Sequence, residues 1–146
     1  MKTDATQATV LAFEEMAFLD VSAGKPPHPG AREDGPWLFL SYSSPQAGAL
    51  ALFLPKAVKF SVAEAIYAED THQITPAQLD DGLLELLNVL AGRLLSERFG
   101  ASQPYTMGLP VVLYDPPGDL AGMERREFFF HMDENEITLW WYEVAQ

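Results

Sequence analysis

The chain has 146 residues and a formal net charge of −12, from 21 acidic against nine basic residues, so its average field repels phosphate backbones and anionic lipid headgroups. Nucleic acid and membrane surfaces are therefore poor candidates as partners. The absence of cysteine excludes disulfides, thiolate metal sites and cysteine nucleophiles, and the 48% hydrophobic content is that of a folded rather than a disordered chain.

In chain order, Met1 to Val10 lacks the basic region and apolar run of a secretory signal, and no stretch approaches about 18 continuous apolar residues. A soluble cytoplasmic protein forming a single domain over residues 1–146 is expected. A first helix is predicted from about Asp4 to Leu19, with Asp4 as N-cap and Val10, Leu11, Phe13, Ala17 and Phe18 on its apolar face. Pro26, Pro27 and Pro29, with Gly24, Gly30 and Gly35, then read as a loop. Trp37 to Tyr42 and Ala49 to Leu54 flank a turn and predict an antiparallel hairpin. Pro55 opens a short second helix to about Tyr67, with Val58, Val62, Ala65 and Ile66 inward. Thr75, Pro76 and Gln78 form a strong start signal for a long helix that Gly100 ends. Sheet follows: Tyr105 to Tyr114, Arg125 to Met132 and Ile137 to Val144, the last hairpin closed by Asp133 to Glu136. The predicted fold class is α+β, with two long helices packed on a mainly antiparallel sheet.

The long helix carries the most specific chemistry. At about 100° per residue, Asp81, Glu85, Asn88 and Gly92 lie within roughly 60° of one another, a narrow polar stripe. Leu83, Leu84, Leu87, Leu90, Ala91, Leu94 and Leu95 occupy the opposite side, so the stripe is expected to face outward. As a bland alternative, exposed Glu and Asn are ordinary on the polar face of an amphipathic helix. Asn is, however, mildly unfavourable in mid-helix.

The run from Asp81 through Glu85 and Asn88 to Gly92, followed by Met107-Gly108-Leu109-Pro110, resembles the CheC/CheX family of chemotaxis phosphatases. In that family's signature an Asp or Ser, a Glu, an Asn and a later Pro recur at set spacing. Here 21 residues separate Asn88 from Pro110, one fewer than in the family, a difference assigned to a loop between Gly100 and Pro104. The opening helix around Ala12 to Leu19 and the Leu54-Pro55 pair are also similar to their counterparts, so the resemblance covers most of the chain. In the first helix Glu14 is followed three residues later by Ala17, and Glu15 by Phe18, so no second Glu-x-x-Asn exists. A single active helix resembles CheX, whose members the family describes as dimers paired along sheet edges.

The resemblance implies hydrolysis of the aspartyl-phosphate on a response-regulator receiver domain of CheY type, in chemotaxis or two-component signalling. It implies no cofactor of the chain's own, because the receiver already holds Mg²⁺ and a lysine around its phosphoryl group. Phosphoryl transfer passes through a loose transition state, so placing the attacking water in line matters more than strong base catalysis. By this resemblance Asn88 positions the water, Glu85 pairs with the receiver lysine, Asp81 borders the contact, and Gly92 lets the partner approach closely. A homodimer is expected on the same ground. The alternatives are a non-catalytic receiver-binding or flagellar-switch-like module of the same superfamily, and a scaffold whose stripe is vestigial.

Other constellations are weaker. His28, His72 and His131 have no ligand-like spacing, and Ser41, Ser43 and Ser44 lack the glycine context of a serine nucleophile. Arg125 and Arg126 are flanked by Glu124 and Glu127, which reads as solvated surface. Trp140, Trp141 and Tyr142 alternate across a strand and leave open what covers the sheet's second face.

Overall fold

The computed structural model describes residues 4–17, 19–26, 35–100 and 104–145. Helix α1 (Ala5–Ala17) begins at Asp4, whose Oδ1 accepts from the Gln7 N–H at 2.9 Å while its carbonyl accepts from the Ala8 N–H at 3.0 Å. Its buried face is Ala5, Ala8, Thr9, Ala12, Phe13 and Ala17, whereas Val10 and Leu11 are only half-buried. Small residues let α1 approach its neighbours closely, and the larger aliphatics fill the margins. Phe18 lies outside the described residues.

Strand β1 (Ser22–Ala23) is too short to leave a periodic signal, and exists because Ser22 pairs with His131 and Ala23 with Phe130. Much of the proline-rich loop, residues 27–34, lies outside the described residues. The predicted hairpin forms from β2 (Trp37–Ser44) and β3 (Gly48–Phe53), in register from Trp37 opposite Phe53 to Tyr42 opposite Gly48. Helix α2 (Lys56–Tyr67) buries Val58, Val62 and Ala63, with Ala65 and Ile66 packed at the margin.

Helix α3 (Pro76–Phe99) runs 24 residues from a complete capping box. The Thr75 hydroxyl accepts from the Gln78 N–H at 3.1 Å, and Gln78 Oε1 accepts from the Thr75 N–H at 3.0 Å. At the far end Gly100, with φ +89°, donates its N–H to the Ser96 carbonyl.

The stretch expected as one strand is split into β4 (Thr106–Met107) and β5 (Val111–Leu113), both paired with β2. Strands β6 (Met123–Met132) and β7 (Asn135–Val144) form a second long hairpin. Its turn is tighter than expected: Met132 pairs directly with Asn135, and Asp133 takes a φ of +53°.

The sheet order is β1-β6-β7-β3-β2-β4, with β5 also beside β2, and every pairing among the described residues is antiparallel. One face, including Leu38, Leu40, Leu50, Leu52, Leu139 and Trp141, forms the main core with the helices. The other gathers Trp37, Ala49, Ala51, Phe53, Trp140 and Tyr142, with Leu120 and Met123 folded against it. The Tyr142 hydroxyl donates to the Gly118 carbonyl at 3.1 Å, tying that covering segment down. The tryptophan pair thus divides between two buried clusters. Helices on a mainly antiparallel sheet make this the predicted α+β fold, with α3 the long helix and α1 and α2 shorter companions.

Candidate functional site

The rotation of α3 about its axis is set by its apolar side. Leu83, Leu86, Leu87, Leu90, Ala91, Leu94 and Leu95 are buried, so the polar stripe faces away from the core. Leu84, expected in that core, is half-buried at its margin, and Leu86 occupies the interior instead. Gly82 is also buried: a Cβ there would stand 3.1 Å from the Tyr67 ring, so α2 packs directly over it. Ion pairs hold the flanks. Arg93 pairs with Glu15 of α1, and Arg98 Nε donates to Glu143 Oε2 at 2.9 Å. Glu143 Oε1 in turn accepts from Arg126 at 2.6 Å.

Within this frame Asp81 and Glu85 are exposed, while Asn88 and Gly92 are half-buried. All four predicted residues therefore share one outward stripe. Among the described residues, none forms a hydrogen bond or ion pair with the side chains of Asp81, Glu85 or Asn88. An exposed carboxylate and an amide stand one helical turn apart, free to engage another molecule. The half-burial of Asn88 restricts its rotamers without enclosing it.

Pro110 belongs to the segment that runs alongside. At one end the Tyr105 hydroxyl is 3.4 Å from Ser96 Oγ; at the other, Val112 and Tyr114 share a cavity wall with Leu79 and Asp80. The Gly108–Pro110 segment lies between these marks, following Tyr105, whose hydroxyl would stand 3.7 Å from a Cβ on Gly92 of the stripe. The loop invoked to absorb the spacing difference falls at residues 101–103, outside the described residues.

Two features had no signal in the sequence. A cavity of about 660 Å³ opens where the N-terminal ends of α2 and α3 meet β5, lined in part by Lys56, Lys59, Leu79 and Tyr114. It exists only because three segments distant in sequence converge. Tyr42 accepts a hydrogen bond from Trp141 Nε1 at 3.0 Å inside the sheet, and burial pushes its pKa above the ordinary tyrosine value of 10.0. No cluster of three or more potential metal ligands occurs among the described residues. Among the described residues no helix is long and apolar enough to cross a membrane.

The family model described as chemotaxis phosphatase CheX matches residues 39–132, a span that includes all of α3 and Pro110. No curated protein matches the sequence. Among solved structures, the chain is similar to the chemotaxis protein CheX of Vibrio vulnificus, with a TM-score of 0.78 and 13% identity over 95% of this chain and 96% of that one. It is similar to a CheX of Desulfovibrio desulfuricans at a TM-score of 0.74 and 14% identity, over 94% of each chain. It also matches a CheX–CheY–BeF₃–Mg²⁺ complex of Borrelia burgdorferi at a TM-score of 0.70 and 14% identity, over 99% of this chain and 100% of that one. At such identities the likeness is one of fold.

Proposed function

Because this chain belongs to the CheX family of chemotaxis phosphatases, we propose that it hydrolyses the aspartyl-phosphate of a receiver domain in the cytoplasm. The observation that carries the reading is the outward, uncommitted pairing of Glu85 and Asn88 on α3. The Borrelia burgdorferi relative in complex with CheY supports a CheY-like partner, and the Mg²⁺ of that complex fits a metal brought by the receiver.

In this reading the Asn88 amide oxygen accepts a hydrogen bond from a water and orients it in line with the scissile P–O bond. Water oxygen bonds to phosphorus as the aspartyl carboxylate departs, and the water's proton ends on the inorganic phosphate. No strong base is needed, since the transition state is loose. Glu85 accepts from the receiver lysine through a charge-assisted bond that sets the register of α3 on the partner. Asp81 borders this contact, and Gly92 admits the partner's loops.

The test follows phosphate loss from phosphorylated receiver domains of the same organism. Asn88→Ala is expected to abolish acceleration, and Glu85→Ala to weaken docking. Both variants should keep their stability to within about 0.5 kcal/mol by thermal unfolding, as surface substitutions do. A large loss of stability would make the pair structural. Receiver binding with no change in phosphate lifetime would make the protein a non-catalytic binding module.

A further inference from the structure

Met107 pairs with Tyr42 and Val111 with Phe39, so Leu40 and Ser41 of β2 face three residues, Gly108, Leu109 and Pro110. This is a β-bulge with one extra residue. The Gly108 N–H donates to the Ser41 carbonyl at 2.7 Å, and a Cβ on Gly108 would stand 3.2 Å from that same oxygen, which favours glycine at the crest. Pro110 has no N–H with which to receive an added strand. The bulge turns Leu109 out of the sheet, leaving it 90% exposed, with Val111 44% exposed beside it. Leu109 thus stands out from the segment that passes α3 between the Tyr105–Ser96 contact and the wall shared by Val112 and Leu79.

We propose that Leu109 is an apolar docking residue for the receiver domain, seated in a recess beside the partner's phosphoryl-bearing loops while Glu85 meets the receiver lysine and Asn88 reaches the phosphoryl group. The inference rests on the receiver reading above and adds to it a contact that charge does not supply. Asp81 and Glu85 attract a cationic partner over distance, but exposed ion pairs contribute little once formed and weaken with salt. An apolar side chain desolvated next to them provides holding energy that salt does not remove. A second copy of this chain is the poorer occupant, because it would bring its own net charge of −12 against the same acidic stripe. Strand addition is the poorer mode, because the bulge and Pro110 interrupt the edge.

The test measures binding of wild-type and variant protein to a receiver domain loaded with beryllofluoride and Mg²⁺, together with KM and kcat for dephosphorylation. Leu109→Ala should weaken Kd and raise KM about tenfold with kcat changed less than about twofold, as expected for truncating an apolar anchor. The weakening should persist in high salt, and Leu109→Met should restore most of the affinity. Val144→Ala, which trims an apolar residue 42% exposed on β7, should match wild type. Wild-type affinity in Leu109→Ala would overturn the docking role while leaving the receiver reading intact. A fall in oligomeric mass with receiver binding unchanged would assign Leu109 to a contact between copies, and would also overturn it. Failure of the wild-type protein to bind any receiver of the organism would remove both readings together.

Discussion

At the scale of single residues, Gly92 separates structural from functional demands most cleanly. A glycine in mid-helix costs about 1 kcal/mol relative to alanine. A Cβ at position 92 would meet only the Tyr105 hydroxyl, at 3.7 Å, an ordinary contact. Gly82 differs, since the Tyr67 ring lies against it within the chain. The packing of Gly92 therefore offers no internal compensation, which fits a residue kept small for an approaching partner. Gly92→Ala should raise stability by about 0.5–1 kcal/mol in thermal unfolding and at the same time weaken receiver binding. Added stability with binding intact would take Gly92 out of the contact. Helical spacing made Asp81, Glu85, Asn88 and Gly92 legible because it depends on the positions of a few residues alone. Leu109 stands within the Met107–Pro110 run, but nothing in its neighbours along the chain distinguishes an exposed leucine from a buried one.

At the scale of elements, α3 is a rod whose ends are defined locally and whose rotation is defined by its core side. The capping box at Thr75 and Gln78 closes within four residues, so it could be read directly from their order. Thr75→Ala should lower stability by about 1 kcal/mol while leaving kcat per folded molecule unchanged, since the cap lies more than two turns from Glu85. A fall in kcat measured on fully folded protein would couple the cap to the site. The strand alongside was harder to read. Tyr105 to Tyr114 looks continuous in sequence, yet it divides into β4 and β5 because Ser41 of β2 takes the Gly108 N–H and the register shifts across Leu109. A bulge is a property of two strands, so one strand's pattern cannot announce it. The small-residue face of α1 leaves no clear pattern for a related reason. Alanines carry little hydrophobic signal, but the close approach of neighbouring helices requires them.

At the scale of the whole molecule, the sheet has open edges at both ends of its order among the described residues, β4 and β5 on one side and β1 with β6 on the other. Strand β1 pairs only with His131 and Phe130, while β6 from Met123 to Glu127 has no further strand along its outer side among the described residues. Open edges of this length recruit partners unless they are protected, and Glu124, Arg125, Arg126 and Glu127 place charges of both signs there. A homodimer paired along this edge is the proposal that best uses it, with charges of both signs available for antiparallel matching. Light scattering at micromolar concentration should report twice the mass of the 146-residue chain, and a proline placed at Arg125 should reduce it to the monomer. A monomeric mass in the unmodified protein would count against the dimer.

Local order determined a good deal: the three helix positions, the hairpins, the caps, and the grouping of a carboxylate, an amide and a glycine on one side of α3. Each depends on contacts within a few residues along the chain, where periodicity and capping chemistry act. Tertiary structure alone decided the order of the strands, the two-sided burial of Trp140 and Trp141, the cavity at the helix ends and the bulge that exposes Leu109. Those features arise where distant segments meet, and their energies come from packing and pairing that no single stretch of the chain contains.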